Sequence, residues 1–326
     1  MEISYRRGLY LRGLDLWLDP HEKQTVAVVS HAHADHARAH TRTICTPATA
    51  LLLAERRLAG KSTDTVNFGQ ARPLVGGQLT LLPAGHVLGS AQVLVEQEGG
   101  RLLYSGDFKL RQSLTAEQAV VPNADTLVME TTFGRPKYRF PSAEETIGRI
   151  EQFCRQALAN GETAVLYVYS LGKAQELLAA LGVTGLTLRI HPSIHAICEV
   201  YRHCGILLPP YQIWRPGEHQ TEPEPCVLLV PPQAGRAGAL TSLGRLRTAY
   251  ISGWAIDRGA VYRFRCDAAF PLSDHADYDE LCEYVRRVGP ARIFTVHGFA
   301  REFARDLRGW GYYAYPLGQP EQLQLF

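Results

Sequence analysis

The chain has 326 residues, of which 46% are hydrophobic, and a formal net charge of +2 at pH 7. This length allows a large buried core in one large domain or two smaller ones, and the small net charge excludes a polycation. No apolar run approaches the length of a membrane span and no apolar signal core follows the first residues, so we expect a cytoplasmic protein without a membrane partner.

The numbers of cysteines and arginines bear on disulfide bonds, zinc sites and phosphate binding. The seven cysteines form no Cys-x-x-Cys pair, which favours reduced packing thiols over a disulfide framework or a sulfur-ligated zinc site. Arginines outnumber lysines by 29 to five. Planar bidentate donors suit phosphate binding, although the base composition of a genome can produce the same bias without any function.

The first two strands in chain order lead to a group of potential metal ligands. Leu14 to Leu18 alternates like a half-buried strand and stops before Pro20, and Val26 to Val29 is an apolar run that predicts a buried strand ending at Ser30. We expect these two strands to pair.

The motif His-x-His-x-Asp-His occupies residues 31–36, directly after the second strand. His31 and His33 share one side of an extended backbone and Asp35 and His36 lie just beyond, so a compact loop can present two ligand pairs to two neighbouring ions. A single histidine here would usually be an ordinary core or surface residue. The spacing of all four is similar to the signature of the metallo-β-lactamase superfamily, which implies an αββα sandwich with metals at one edge of its two sheets.

Three further strands each end at a polar residue. A strand over 78–82 runs into a glycine-flanked turn that contains His86, and a strand over 101–104 precedes Asp107. Asp107 alone could be a turn former, but beside the histidines we interpret it as a carboxylate that bridges two ions. A strand over 126–129 then delivers Glu130.

The middle of the chain changes character from about residue 142. Ser142 and Glu145 predict a capped amphipathic helix, and a strand over 164–169 leads to a second helix whose start carries Ser170 and Lys173. This alternation is typical of a parallel sheet.

The end of the chain returns to the earlier pattern. His275 lies just before a helix that Asp277 and Glu280 cap, and the buried strand over 293–296 ends at His297.

These residues together resemble the β-CASP branch of the metallo-β-lactamase superfamily, over nearly the whole chain. The branch-specific features are Glu130, His275 within Ser-Asp-His-Ala-Asp, His297 within Val-His-Gly, and the segment between Glu130 and His275 that contains Leu-Gly-Lys-Ala-Gln-Glu-Leu. The phrases Ala-Gly-His-Val-Leu-Gly-Ser-Ala-Gln and Glu-Thr-Thr-Phe-Gly are most similar to bacterial ligase-associated DNA exonucleases. The resemblance implies an α/β fold in which a metallo-β-lactamase domain, residues 1–145 and 256–326, holds an inserted β-CASP domain at 146–255.

The predicted site is a two-metal hydrolase centre, with two Zn²⁺ ions or Mn²⁺ as a substitute. One ion would be held by His31, His33 and His86. The other would be held by Asp35, His36 and His297, and Asp107 would bridge the two ions. His275 would act as general acid, oriented by Glu130, as the resemblance also implies. Taken singly, Glu130 could be an ordinary strand-end carboxylate and His275 a helix-capping surface residue.

Two further assignments concern residues outside the ligand set. Asp19 would be buried and bonded to a ligand imidazole such as His31 or His33, although an Asp-Pro turn is the alternative. Ser170 and Lys173 would clamp a substrate phosphate at a helix start, although Ser170 could simply cap that helix.

The favoured function is a DNA exonuclease that digests single strands 5′ to 3′ in DNA repair, with a DNA ligase or helicase as a candidate partner. The alternatives are an RNA-processing nuclease of the same branch, a small-molecule hydrolase, and a non-catalytic nucleic-acid-binding subunit. RNA-directed members of the branch keep a histidine at the position of His297 that DNA-directed eukaryotic members usually lack, so the preference for DNA over RNA stays open at this point.

Overall fold

A computed structural model describes residues 2–215, 224–234, 240 and 243–318, and within them the chain forms two compact units. The first unit contains residues up to 112, residues 117–139 and those from 275 onward, and the second contains residues 113–116 and 140–274. Within the described residues, the helices are too short or too polar to span a membrane.

The first sheet of the first unit is built from the six strands nearest the N-terminus, in sequence order. They are β1 (Ile3–Tyr5), β2 (Leu9–Leu11), β3 (Leu16–Leu18), β4 (Val26–Val28), β5 (Arg42–Cys45) and β6 (Ser62–Thr65), with helix α1 (Pro47–Glu55) between the last two. Strands β3 and β4 pair in parallel, which confirms the predicted pairing and places Asp19 and Ser30 just past two adjacent strand ends.

The second sheet of this unit has seven strands. It begins with β7 (Ala71–Leu74), β8 (Gly77–Pro83), β9 (Ala91–Gln97), β10 (Gly100–Tyr104) and β11 (Thr126–Glu130). Neighbours β7 to β10 are antiparallel, whereas β10 and β11 are parallel. The sheet is completed by two strands from the end of the chain, described below.

The second unit is an α/β unit around a six-stranded sheet. Its elements are α2 (Ala143–Ala159), β12 (Thr163–Tyr167), α3 (Lys173–Leu181), β13 (Leu188–Ile190), α4 (Pro192–His203), β14 (Gln212–Ile213), β15 (Val227–Val230), β16 (Leu246–Ile251), α5 (Ala260–Phe264) and β17 (Ala268–Phe270). The strand order is β14-β13-β15-β12-β16-β17, and all five pairs of neighbouring strands are parallel. The predicted alternation of strand and helix is therefore confirmed.

The chain then returns to the first unit. It adds α6 (Tyr278–Val288), β18 (Arg292–Val296), α7 (Ala300–Gly309) and β19 (Ala314–Pro316), with β18 pairing in parallel to β11. The predicted capping box is present, because Asp277 accepts from the backbone of Asp279 and Glu280, and the Glu280 side chain accepts from the backbone N–H of Asp277.

Alternation along the strands divides the first unit into layers. Leu79 and Leu81 of β8 pack with side chains of the first sheet, such as Leu18 of β3, in one core between the two sheets. Leu127 of β11 lies on the opposite face and packs against helices α6 and α7, for example at Leu281. The result is a two-sheet sandwich with helices over the outer face of the second sheet, which agrees with the predicted α/β fold class.

The predicted domain boundaries at 145/146 and 255/256 stay predictions. The compact units change at residues 139/140 and 274/275 instead, because β17 pairs with β16 and so extends the second unit's sheet beyond residue 256.

Candidate metal centre

Several predicted site residues of the first unit lie at or just beyond the ends of its strands. His31 follows β4, Asp107 follows β10, Glu130 is the last residue of β11, and His297 follows β18. His86 lies in the turn between β8 and β9, and the loop over 31–36 carries the remaining histidines. Strands β10, β11 and β18 are parallel neighbours in one sheet and β4 belongs to the other, and the residues at their carboxyl ends bring distant parts of the chain together.

The turn that contains His86 is built by its neighbours. The Ser90 hydroxyl accepts hydrogen bonds from the backbone N–H groups of His86 and Val87, both at 3.1 Å. Gly85 has φ of +78°, and a Cβ there would lie 2.2 Å from the Lys109 carbonyl oxygen, so a glycine is required. These contacts direct the His86 imidazole towards the other ligands.

One group of four side chains has the composition of a transition-metal site. His31, His33, His86 and Asp107 each offer a ligand atom, and these atoms lie within 4.8 Å of one another. The Asp107 Oδ2 is 3.5 Å from the His31 Nε2 and 3.9 Å from the His86 Nε2. Three imidazoles and one carboxylate suit Zn²⁺.

The buried state of His31 supports a metal at this place. Its Nδ1 lies 3.0 Å from the Ser30 hydroxyl, but its Nε2 is buried without a hydrogen-bond partner. Burial, followed by the His36 and His86 side chains, holds the pKa of His31 well below its usual value, so the ring is neutral. A neutral imidazole with a buried free lone pair is the form that binds a metal. The residues therefore fit a bound ion.

His36 joins this group to a second set of carboxylates. Its Nε2 is 3.3 Å from the Asp107 Oδ2 and 3.9 Å from the Asp35 Oδ2, and its Nδ1 is 2.9 Å from the Asp19 Oδ2. Burial opposes a positive charge on His36, but the Asp107 and Asp19 carboxylates outweigh burial and hold its pKa well above the usual value. The imidazole therefore lies between three acidic groups.

Asp35 and His297 lie beside His36 rather than inside the group of four. The Asp35 side chain is 76% exposed, and the His297 ring centroid is 5.2 Å from that of His36. Burial and the His36 charge lower the pKa of His297. His297 adopts φ of +58°, and the ring of His21 stacks on it at 6.4 Å. The structure thus places all seven predicted ligands at one edge of the sandwich.

Asp19 is buried as expected, but its imidazole partner is His36 and not His31 or His33. The backbone N–H and hydroxyl of Ser30 also donate to Asp19, at 2.7 and 2.5 Å. Ser30 in turn contacts His31, so its hydroxyl links Asp19 to His31.

Tyr104 is a site residue that the sequence analysis missed. Its hydroxyl donates to the Asp19 Oδ2 at 3.0 Å, and it is buried. Burial and the Asp19 and Asp107 charges hold the pKa of Tyr104 well above its usual value, so it stays a neutral donor. Its position at the end of β10, three residues before Asp107, was the available signal.

Glu130 and His275 form the predicted hydrogen-bonded pair. The His275 Nδ1 lies 3.0 Å from the Glu130 Oε1 and 3.2 Å from its Oε2, and 3.9 Å from the Asp107 Oδ2. Glu130 is 1% exposed and also accepts from the backbone N–H groups of Phe108 and Thr132. The buried carboxylate therefore holds one ring nitrogen of a histidine that is itself 20% exposed.

The pair expected to clamp a phosphate is arranged differently. The Lys173 ammonium donates to the Asp274 carboxylate, and both side chains are less than 8% exposed. Gly172, rather than Ser170, is the N-cap of α3, and the Ser170 hydroxyl lies 3.3 Å from that of Ser193. A buried lysine already paired with a carboxylate has little charge left for a phosphate, so this geometry does not favour the clamp.

Comparisons with known proteins give related descriptions. Residues 262–312 match the family described as "Zn-dependent metallo-hydrolase RNA specificity domain". The chain is 44% identical over 99% of its length to a "Probable DNA ligase" of Opitutus terrae, of which it covers 32%. It is 26% identical over 82% of its length to "5′ exonuclease Apollo" of Gallus gallus, and 24% identical over 74% to "Cleavage and polyadenylation specificity factor 73" of Drosophila melanogaster. It covers 57% and 42% of these two proteins.

Proposed function

We propose, because this chain belongs to the β-CASP nucleases of the metallo-β-lactamase superfamily, that it is a metal-dependent exonuclease which digests single-stranded DNA from the 5′ end. The observation that carries the proposal is the juxtaposition of two chemical devices. The first is a cluster of His and Asp side chains that can hold a metal, and the second is His275, which the buried Glu130 orients. The Asp107 Oδ2 of the cluster lies 3.9 Å from the His275 Nδ1.

Distances within the cluster support the proposed ligand assignment. His31, His33 and His86 would hold one ion, and Asp107 would face both ions because it approaches His31 and His36. The second ion would be held by Asp35, His36 and His297. Bound Zn²⁺ or Mn²⁺ would supply a water of lowered pKa and neutralise charge that develops on the phosphate.

His275 would protonate the leaving sugar oxygen. Glu130 lies against the Nδ1 of the ring, so the opposite edge with Nε2 points away from the carboxylate, and the partial exposure of the ring gives a substrate access to it. A carboxylate partner stabilises the imidazolium and fixes the orientation of the ring. Glu130 itself is held by two backbone N–H groups, so the pair is preorganised.

The choice of DNA and of the 5′ end rests on the relatives. Two of the three long matches are to a protein named as a probable DNA ligase and to one named as a 5′ exonuclease. A single strand bends into a metal site at lower cost than a stiff duplex, which favours single-stranded substrate. Contacts to phosphates through arginine predict little dependence on sequence and loss of activity as salt rises.

A ribonuclease is the second candidate function. It is favoured by the family description that names RNA specificity, whose matched residues include His275 and His297, and by the match to the cleavage and polyadenylation factor. The two candidates predict the same metal chemistry and differ in substrate.

The deciding experiment is a time course with the metal-loaded protein on 5′- and 3′-labelled oligonucleotides of DNA and RNA, single-stranded and duplex. We expect release of labelled mononucleotide from 5′-labelled single-stranded DNA. Internal cuts, release from the 3′ end first, or efficient cleavage of RNA alone would overturn the assignment.

The metal content is a separate test. We expect about two divalent ions per chain by elemental analysis of protein that has not met a chelator, since seven ligands exceed the four that one tetrahedral ion uses. Less than one ion, with no recovery of binding when Zn²⁺ or Mn²⁺ is added, would contradict the two-metal centre.

The biological setting is also a proposal. The chain covers 32% of the protein named as a probable DNA ligase, so the rest of that protein lies outside the match and ligase activity is not carried over. We propose that the chain acts in DNA repair in the cytoplasm beside a separate DNA ligase or helicase. Co-purification of such a partner with the tagged chain from its own cells is the test.

A further inference from the structure

A basic loop follows Glu130 on the first unit, at residues 135–139. Arg135, Lys137 and Arg139 are exposed, whereas Tyr138 between them is buried. The loop is held as a tight turn, because the backbone N–H of Tyr138 donates to the Arg135 carbonyl at 2.9 Å. Three cations within five residues thus project from one ordered turn.

Each cation of this basic loop lies over an aromatic ring. The Arg135 guanidinium is 4.7 Å from the centroid of Phe299, and the Lys137 ammonium is 4.6 Å from that of Tyr138. The Arg139 guanidinium is 5.1 Å from the centroid of Tyr278. Such contacts restrict the side chains without removing their charge or their exposure.

The carboxylates that face the loop leave its positive charge accessible. Arg135 pairs with Glu302 at 2.9 Å and Arg139 pairs with Asp279 at 2.9 Å. The Arg135 side chain is nevertheless 45% exposed and the Arg139 side chain 53% exposed. Exposed pairs of this kind contribute little energy and exchange readily for another anion. A phosphate can therefore replace or join the carboxylates at small cost.

The loop is anchored beside the catalytic pair. The ring of Phe133, two residues before the loop, packs edge-on against the ring of His275 at 6.0 Å between centroids. The Tyr138 carbonyl accepts from the backbone N–H of Tyr278, three residues after His275. The basic loop is thus connected on both sides to the residue that would meet the leaving oxygen.

We propose that the basic loop binds the backbone phosphates of the single strand next to the bond that is cleaved. This inference rests on the proposed function, since it requires a nucleic acid substrate. It adds a binding surface built from Arg135, Lys137 and Arg139, which lies outside the metal centre. Because the rings under the cations are largely buried, the surface reads charge and not base identity.

The test is the triple variant Arg135→Gln, Lys137→Gln and Arg139→Gln in the full, metal-loaded chain. Its matched control is Arg155→Gln, Lys61→Gln and Arg286→Gln, which removes the same charge from exposed positions. Arg155 is the closest match, because it is 53% exposed and pairs with Glu151 at 2.8 Å. Thermal unfolding of both variants verifies the fold.

Binding of labelled single-stranded DNA is measured as a function of salt, in a His275→Ala background that slows cleavage. The slope of log affinity against log salt should fall by about 2 for the loop variant, since each phosphate contact to a single strand contributes about 0.7. We expect the affinity at low salt to fall on the order of tenfold or more. The control variant should keep most of the slope and affinity.

Cleavage separates this inference from the proposed function. The loop variant, with His275 intact, should show a raised KM for DNA and unchanged hydrolysis of bis(4-nitrophenyl) phosphate, which has no neighbouring nucleotide. Equal affinity and slope for loop and control variants, with DNA cleaved by the parent, would overturn the inference alone. A parent that hydrolyses the small ester but neither binds nor cleaves a nucleic acid strand would overturn both.

Discussion

The two compact units both place ionisable side chains after the ends of parallel strands, but the outcomes are opposite. In the first unit, imidazoles and carboxylates converge around Asp107, and the His31 Nε2 is buried without a hydrogen-bond partner. In the second unit, Lys173 and Asp274 follow β12 and β17 and satisfy each other. A titratable group near a strand end is therefore suited to bind a metal where the fold leaves its lone pair unused.

Desolvation explains why this difference matters. Burying a charge is costly unless a partner compensates it, so a group of like ligands is stable only with a metal or with mixed protonation. The pKa of His36 is raised and the pKa values of His31 and Asp107 are lowered, which corresponds to mixed protonation within the cluster. Lys173 and Asp274 instead compensate each other's charge directly.

The largest effect should come from Asp107→Ala. It removes a carboxylate that approaches His31, His36 and His86, so we expect loss of bound metal and of cleavage. Elemental analysis and a nuclease assay measure this. The control Asp64→Ala removes a surface carboxylate paired with Arg42 and Arg72 and should change neither. Full metal retention in Asp107→Ala would refute the central position of this residue.

His275→Ala should slow the chemical step and leave the metals in place. General acid catalysis contributes roughly 10²–10⁴-fold, so kcat should fall within that range. Metal loss as large as in Asp107→Ala would mean that His275 is a ligand, and an unchanged rate would exclude it as the acid.

Lys173→Met tests the closed pair of the second unit. Breaking a buried ion pair on one side costs about 3–5 kcal/mol, so the free energy of unfolding of this unit should fall by that order. The double variant Lys173→Met with Asp274→Leu should recover much of the loss, because an apolar pair of similar volume needs no compensation. Stability unchanged in the single variant would show that the pair is not as desolvated as its burial indicates. Denaturant unfolding measures both.

The smallest effect should come from Tyr104→Phe. This change removes one hydrogen bond to a charged acceptor, Asp19, which is worth about 1.5–3 kcal/mol in unfolding free energy. Because Asp19 keeps its contacts with Ser30 and His36, we expect metal content to stay as in the parent. The exposed Tyr313→Phe is the control. A loss of metal in Tyr104→Phe alone would show that the hydroxyl positions the centre directly.

Local patterns in the sequence determined a large part of this protein. Short strand-like apolar segments predicted β8, β10, β11 and β18, and the capping box predicted the start of α6, because these signals depend on nearby residues alone. The spacing at residues 31–36 predicted which groups would lie at one edge of the sheets. The hydrogen bond between Glu130 and His275 also followed from the sequence, through its resemblance to a family.

Only the tertiary structure decided which distant groups meet. It paired Asp19 with His36 instead of His31 or His33, added Tyr104 to the same carboxylate, and joined Lys173 to Asp274 across 101 positions of sequence. The physical reason is that such partners depend on which strands are neighbours and how far each turn carries its side chain. The periodicity of one segment does not report these two features. A hydrogen bond or ion pair forms only when two atoms lie within a few ångströms, and that distance depends on how separate elements pack together.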